Sequence, residues 1–474
     1  MNDLRFALRQ LRKSPGFTIV AVLTLALGIG ANSAIFSVVN AVLLRPLPYP
    51  QSERLVYLNE VSGGTNTSIA LPDYLDWRHD ATSFQQLALT RLESRNLSGI
   101  AGREPERVAV AFVTANFFDV IGLPPQLGRT FLEDEDKPGA PALVVISDRL
   151  WDRAFHRDPQ IVGRAVNFHG QPFTVTGVMP REMDSPHGVD AWFSVMRRSA
   201  NPAWQNRANH PMFFGWGRLK QGVTVEQARD EIKVIAARLE KVYPATNAGV
   251  SAAVRPLLEN LLGNYRTSLA LLLGAVAVVL LIACANLANL LAVRGAARAR
   301  EFAVRAAMGA GRGQIVRQLL LESFVISAIG GAVGMVFAIW GRDALVAFAP
   351  AGAPRFEQIG FDWRVMAFAF LLATFTTILF GLWPAWQAAR ADINAALQAG
   401  SFGSSETKTA RRSRDWLVIL EVALTLLLLS AAGLVLKSFA KMQNTQLGFD
   451  PQQLLTVRIE LPFTKYQQLP PILN

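Results

Sequence analysis

The residue cluster that most invites a chemical reading is Met308-Gly309-Ala310-Gly311-Arg312-Gly313, three glycines among basic side chains. Glycines beside cations can cradle a phosphate. A nucleotide-binding loop of this kind needs G-x-x-x-x-G-K-[ST] after a strand. Its backbone amides hold the phosphates, its lysine reaches their far end and its hydroxyl holds the metal. Here no lysine followed by Ser or Thr comes after the glycines, and the pattern occurs nowhere in the chain. ATP binding by that route is excluded. The histidines are His79, His156, His169, His187 and His210, none in H-E-x-x-H spacing. No G-x-S-x-G nucleophile turn occurs. The acidic run Glu133-Asp134-Glu135-Asp136 lacks the alternating ligand spacing and turn glycine of a calcium loop, so it reads as a solvated loop before Lys137-Pro138-Gly139. His169-Gly170 reads as a hairpin turn.

The elements around the glycines explain them better. The 474 residues are 18% charged, mean hydropathy is +0.25, yet the formal net charge is +11. A soluble domain carries about a quarter charged residues. Apolar bulk with surplus Lys and Arg points to a membrane protein with basic cytoplasmic loops rather than to a nucleic-acid binder. Cys284 is the single cysteine, so no disulfide can form within the chain.

A bilayer-crossing helix needs roughly 20 mostly apolar residues. Five runs qualify: 17–44, 269–293, 315–340, 365–386 and 416–436. The first is too long for a signal-peptide core and ends in no clean cleavage site, so it reads as a retained helix. Arg5, Arg9, Arg12 and Lys13 precede it, and Arg294 to Arg312 and Arg390 to Arg414 follow the second and fourth. Positive loops stay inside. The N-terminus is therefore expected in the cytoplasm, with residues 45–266 and the C-terminus outside. Residues 1–16 read as an amphipathic helix, with Leu4, Leu8 and Leu11 on one stripe, lying on the inner membrane surface.

Residues 45–266 carry strand candidates at 107–113, 142–146, 165–168 and 173–178. Helix candidates are 72–79, 115–121, 148–155 and 225–243, the last with Thr224 as N-cap. Such alternation indicates an α+β or α/β domain. Trp192, Trp204, Phe213, Phe214 and Trp216 read first as core and second as a partner surface.

On the cytoplasmic side, Arg298, Arg300, Glu301, Phe302 and Arg305 form a short charged helix, supported by the pairs Arg298–Glu301 and Glu301–Arg305. Gly309 can close it as a left-handed cap, and Arg312 lies in the turn that enters the third helix. A short helix tied to two membrane helices suits a lever that docks a cytoplasmic partner.

Here the chain resembles a known family. The stretch "NLLAVRGAARAREFAVRAAMGAGRGQIVRQLLLES" is similar to the signature of the FtsX-like permease domain of MacB-type ABC transporters, met by Asn289, Arg298, Arg300, Glu301, Arg305, Gly309, Ala310, Arg312, Glu322 and Ser323. "SIALPDYLDWR", "VTANFFDVIGLPPQLGRTF" and "VVISDRLWDRAFHRDPQIVGRAVNFHGQPFTVTGVMP" resemble the MacB-like periplasmic core domain. The opening residues resemble duplicated orphan permeases of the acidobacterial type. Residues 416–474 then read as the start of a second permease unit, which stops short at Asn474.

The resemblance implies an α-helical membrane protein. A four-helix FtsX-like unit plus a fifth helix carries a large α+β extracytoplasmic domain between helices one and two. The parts are an amphipathic segment 1–16, helix 17–44, core domain 45–266, permease domain 267–400 with coupling segment 294–314, basic linker 401–415, helix 416–436 and a truncated second outside domain 437–474. The implied function is a permease of the bacterial inner membrane. It would pass the work of a separate cytoplasmic ABC ATPase, which binds the ATP, to the outside domain for export. No cofactor or metal is expected in this chain, and the further partners implied are a second permease unit and a periplasmic adaptor. A regulatory module that controls an outside enzyme is the alternative, and a membrane-anchored enzyme is a third reading.

Overall fold

The computed structural model describes residues 2–100, 104–263, 265–298, 301, 304, 308, 311–347, 359–389 and 408–443. It divides into two compact units. One is Pro46–Gly263, the inserted domain, and the described residues on either side of it form the helical unit.

Among the described residues of the helical unit, four helices are long and apolar enough to cross a membrane: Pro15–Leu44, Tyr265–Gly295, Val316–Ala347 and Asp415–Gln443. They correspond to the first, second, third and fifth apolar runs. The fourth run forms the helix Trp363–Ala389, whose described apolar stretch is Trp363–Ile378. All extend past the apolar runs, because nothing in the flanking polar residues stops a helix. Pro15 at the first position starts the first one, where its missing N–H costs nothing. At its far end the helix widens into a π-turn, Asn40–Leu44, before extended backbone at Arg45.

The first and third helices meet backbone to backbone. A Cβ placed on Gly30 would lie 2.7 Å from the Gly334 carbonyl oxygen, and one on Gly334 would lie 2.8 Å from the Ala26 oxygen. Lipid supplies no hydrophobic drive between helices, so close approach of small residues supplies the packing. Asn32 fastens the first helix to the second, its Nδ2 donating to the oxygens of Gly28 at 2.9 Å and Val276 at 2.8 Å. Phe36 stacks on Phe368 of the fourth helix at 4.0 Å. The fifth helix is different, with no buried residue in its apolar window.

The N-terminal segment forms the helix Asn2–Arg12, and among its described side chains, 7–12, Ala7 and Leu11 are buried. Leu8, expected on the apolar stripe, is exposed. The segment packs into the core of the helical unit through Ala7 and Leu11, beside Ala21, Leu25 and Leu287.

The inserted domain is built on one mixed sheet. Its strands are β1 Leu55–Ser62, β2 Thr65–Thr67, β3 Phe84–Ser98, β4 Glu106–Val113, β5 Leu127–Gly128, β6 Leu143–Ile146, β7 Ala165–Phe168, β8 Gln171–Val178, β9 Ala191–Ser194, β10 Phe214–Leu219 and β11 Val250–Pro256. The order is β11-β1-β10-β3-β4-β9-β6-β8-β5, with β2 on β1 and β7 bridging β3 and β8. The pairs β4–β9 and β6–β8 are parallel and the other named pairs antiparallel.

Both faces of this sheet are covered. In β4, Val108, Val110 and Phe112 enter one apolar cluster while Ala111 and Val113 enter the other. Successive side chains point to opposite faces, so a strand buried on both sides loses its polar alternation. That is why β9, with four buried residues, escapes a search for alternation. β10 escapes it for a second reason. Gly215 and Gly217 interrupt it, yet a Cβ on Gly215 would lie 2.9 Å from Leu58 Cβ, and one on Gly217 2.8 Å from the Phe84 ring. Glycine here lets neighbouring side chains close over the strand.

The helices expected in this domain are present at Leu71–Asp80, Phe117–Ile121, Asp148–Phe155 and Val225–Val242. Thr224 caps the last in a capping box with Gln227. His169 and Gly170 have φ of +54° and +78° and close the β7–β8 hairpin, as a type I′ turn requires. Trp192, Trp204, Phe213 and Trp216 are buried, which is the core reading; Phe214 is half-buried.

The acidic run needs a correction. Glu133 and Asp134 are solvated, but Asp136 is a structural hub. Its Oδ1 accepts from Ser194 Oγ at 2.6 Å and Met196 N at 2.9 Å, and its Oδ2 accepts from Ala115 N at 2.8 Å. A chain segment that is polar in sequence is drawn inward here because three donors converge on one carboxylate.

Candidate functional site

The described part of residues 294–314, the segment expected from the sequence to couple to an ATPase, is organised by Arg298, one residue past the second long helix. Its Nε donates to Glu301 Oε2 at 2.9 Å, which is the i,i+3 pair expected from the sequence. Its Nη1 donates to Glu322 of the third helix, at 2.9 Å to Oε2 and 3.2 Å to Oε1. Gln318, one turn before Glu322, donates Nε2 to Oε1 at 3.2 Å. The guanidinium fork thus joins the segment to the third helix, in the planar geometry that suits arginine to two carboxylates.

Exposure divides the labour. The Arg298 side chain is 11% exposed and that of Glu322 5%, whereas Glu301 is 34% exposed. Arg298 and Glu322 are sequestered and hold shape; Glu301 presents an edge to its surroundings. Removing one partner of such a pair leaves a buried charge uncompensated.

A second arginine ties the N-terminal helix to the same end of the bundle. Arg294 Nη2 donates to the Gln10 oxygen at 3.1 Å and to Ser14 Oγ at 2.8 Å, and its guanidinium lies 4.5 Å from the Phe17 ring centroid. Thr18 Oγ1 adds a bond to the Leu11 oxygen at 2.9 Å. The start of the chain, the end of the second helix and the base of the third are therefore one connected polar assembly.

Of the residues singled out from the sequence, Arg298 and Glu301 are brought together. Arg300, Phe302, Arg305 and Gly309 lie outside the described residues, as does the side chain of Arg312, whose backbone opens the third helix. From the sequence, Glu322 belongs to the family signature and Arg294 to a basic loop, but neither is given a partner there. The signal for Glu322 was present: an acidic residue inside an apolar run is costly unless it has a partner.

Comparison with known proteins bears on what this arrangement belongs to. The MacB-like periplasmic core domain family model matches residues 18–235, and the FtsX-like permease C-terminal model matches 273–393, which includes Arg298, Glu301 and Glu322. The chain carries a MacB-like periplasmic core domain and an FtsX-like permease domain. The macrolide export ATP-binding/permease protein MacB of Salmonella paratyphi A is 29% identical over 59% of this chain and 42% of that protein. The pyoverdine export ATP-binding/permease protein PvdT of Pseudomonas syringae pv. syringae is 25% identical over 58% of this chain and 40% of its own length. The permease chain thus spans less than half the length of these curated relatives. A crystal structure of the periplasmic region of MacB from Actinobacillus actinomycetemcomitans aligns with a TM-score of 0.35 at 13% identity, covering 45% of this permease and 94% of that chain. That likeness is too slight to carry the assignment, which rests on the two domain models.

Proposed function

We propose that this permease relays ATP hydrolysis by a separate cytoplasmic ABC ATPase to its inserted domain, and that this motion drives export across the bacterial inner membrane. The observation that carries the reading is the Arg298 fork. A docking segment moves membrane helices only if it is rigidly joined to them, and Arg298 joins it to the third helix through Glu322. Arg294 extends the connection to the N-terminal helix. The export function of the MacB and PvdT relatives supports the direction of transport. In this reading the N-terminus and residues 294–314 face the cytoplasm, the domain 45–266 lies outside, and residues 416–474 begin a second permease unit. The second unit and a periplasmic adaptor are partners of the same proposal.

The test is a pull-down of the tagged chain from its native membrane, with mass spectrometry of the proteins retained. The expected result is an ABC ATPase that is retained by the wild-type chain and lost with Glu301→Arg. Equal retention of the ATPase by Glu301→Arg and by Arg305→Glu would remove the lever assignment. Absence of any ATPase under mild detergent would remove the transport reading itself.

A further inference from the structure

One face of β3 carries Arg91, Glu93 and Arg95, because alternate residues of a strand point the same way. The register sets them opposite Phe112, Val110 and Val108 of β4. Arg197 and Arg198 reach the same face from the turn Met196–Arg198 that follows β9. Arg95 and Arg198 both lie over the Phe112 ring, 5.3 and 4.9 Å from its centroid. Arg91 lies over Trp204 at 5.5 Å and Arg197 over Phe173 at 6.0 Å. All four arginines are half-buried. We propose that this face binds an oxyanion, a carboxylate or a phosphate, held by Arg198 together with Arg95 above the Phe112 ring.

The protein does not neutralise these charges itself. Glu93 pairs with Arg95 at 2.7 Å and with Arg91 at 3.1 Å, one oxygen to each. Arg197 Nε donates to the neutral Ala140 carbonyl oxygen at 2.9 Å. Arg198 is left over. Among the described residues its guanidinium has neither a hydrogen-bond acceptor nor a carboxylate partner. Stacking on Phe112 uses the face of the group, whereas its five N–H donors lie in the plane and stay unmet. The Arg91 Nε atom beside it lacks an acceptor as well. Burial pulls the Arg198 pKa below its usual value, and Arg95, Arg91 and Arg197 pull the same way against Glu93. Like charges gathered in a half-buried place are a cost that an anion removes. Guanidinium forks match the paired oxygens of a carboxylate or phosphate, which selects the oxyanion class.

This inference does not depend on ATPase coupling. Titration calorimetry on the full chain in detergent tests it, at about 0.15 M salt to screen loose surface attraction. The probes are citrate and pyrophosphate, with trimethyl citrate as the uncharged analogue. The expected result is saturable binding of at least one anion and none of the ester, and the tighter anion tells carboxylate from phosphate. Arg198→Gln should weaken that binding about tenfold or more, the loss of hydrogen bonds between charged groups. It should not lower the unfolding temperature of the free chain, because the Arg198 side chain donates no hydrogen bond to the fold. Lys233→Gln, at an exposed position of the helix Val225–Val242, should leave binding unchanged. The proposal is overturned by no saturable binding of either anion, by equal binding of the ester, or by an equal effect of Lys233→Gln. It is overturned too if Arg198→Gln loses binding only along with a lowered unfolding temperature.

Discussion

Arg298 Nη1 donates to Glu322 Oε2 at 2.9 Å, linking the residue after the second membrane helix to a carboxylate within the third. The two side chains are 11% and 5% exposed, so water neither screens nor replaces the bond. Replacing Glu322 with Gln, or Arg298 with Ala, is expected to destabilise the helical unit by about 3–5 kcal/mol, the cost of leaving one buried charge unpaired. Thermal unfolding of the full chain in detergent reads this. The exchange Arg298→Glu with Glu322→Arg should recover part of the loss; no recovery would mean the pair is not coupled.

The backbone contact between Gly30 and Gly334 leaves no room for a side chain. Gly30→Ala or Gly334→Ala forces the first and third helices apart, at a cost of about 1–3 kcal/mol. Gly433, whose added Cβ would meet nothing, serves as the control. If Gly433→Ala lowers the melting temperature as much as Gly30→Ala does, the effect is not one of packing.

Stability of the inserted domain should fall as pH rises from mildly acid to mildly alkaline. Glu60 is fully buried, accepts from Ala70 N at 3.0 Å and lies 2.8 Å from His210 Nε2. Burial pushes its carboxyl up to about 8, with Asp73 adding to the rise and the Ala70 amide and Arg207 opposing it. Below the ordinary value of 4.5 the folded and unfolded forms are both protonated and the contribution is complete. Between 4.5 and about 8 the unfolded carboxyl ionises while the folded one does not, and the contribution is lost. Tryptophan fluorescence during unfolding, at about pH 5.5 and about pH 8.5, should show the fall, and Glu60→Gln should flatten it. An unchanged slope in Glu60→Gln would assign the dependence elsewhere.

Arg218 is a buried cation whose hydrogen bonds run to backbone carbonyls: Val120 and Ile121 at 2.9 Å and Pro50 at 3.0 Å. It closes the C-terminal end of the helix Phe117–Ile121, where a cation is favoured. Arg218→Met removes those donors and should cost about 2–4 kcal/mol, as carbonyls lose their partners in a dry site. Urea unfolding measures it. Arg181→Met, at an exposed position of the same domain, should cost about 0.5 kcal/mol or less, and an equal loss in both would argue against a special role for Arg218.

The membrane helices were legible because their signal is one-dimensional. A bilayer demands a length of apolar residues, and that length is written along the chain whatever packs beside it. The hairpin at His169-Gly170, the N-cap at Thr224 and the pair Arg298–Glu301 were legible for a like reason: each joins residues no more than a few positions apart. The inserted sheet was legible only in part. Strands such as β4 and β8 stand out by their β-branched residues, while β9 and β10 take their place because partners distant in sequence bury both their faces. The same limit governs the sites. Asp136 reads as solvent-exposed until Ser194, 58 residues on, donates to it. Glu322 reads as a lone acid in an apolar run until Arg298, 24 residues before it, turns toward it. Periodicity, length and local pairing were determined by the sequence alone; which buried charge meets which was decided by the tertiary structure, because those energies depend on distances that only the folded backbone sets.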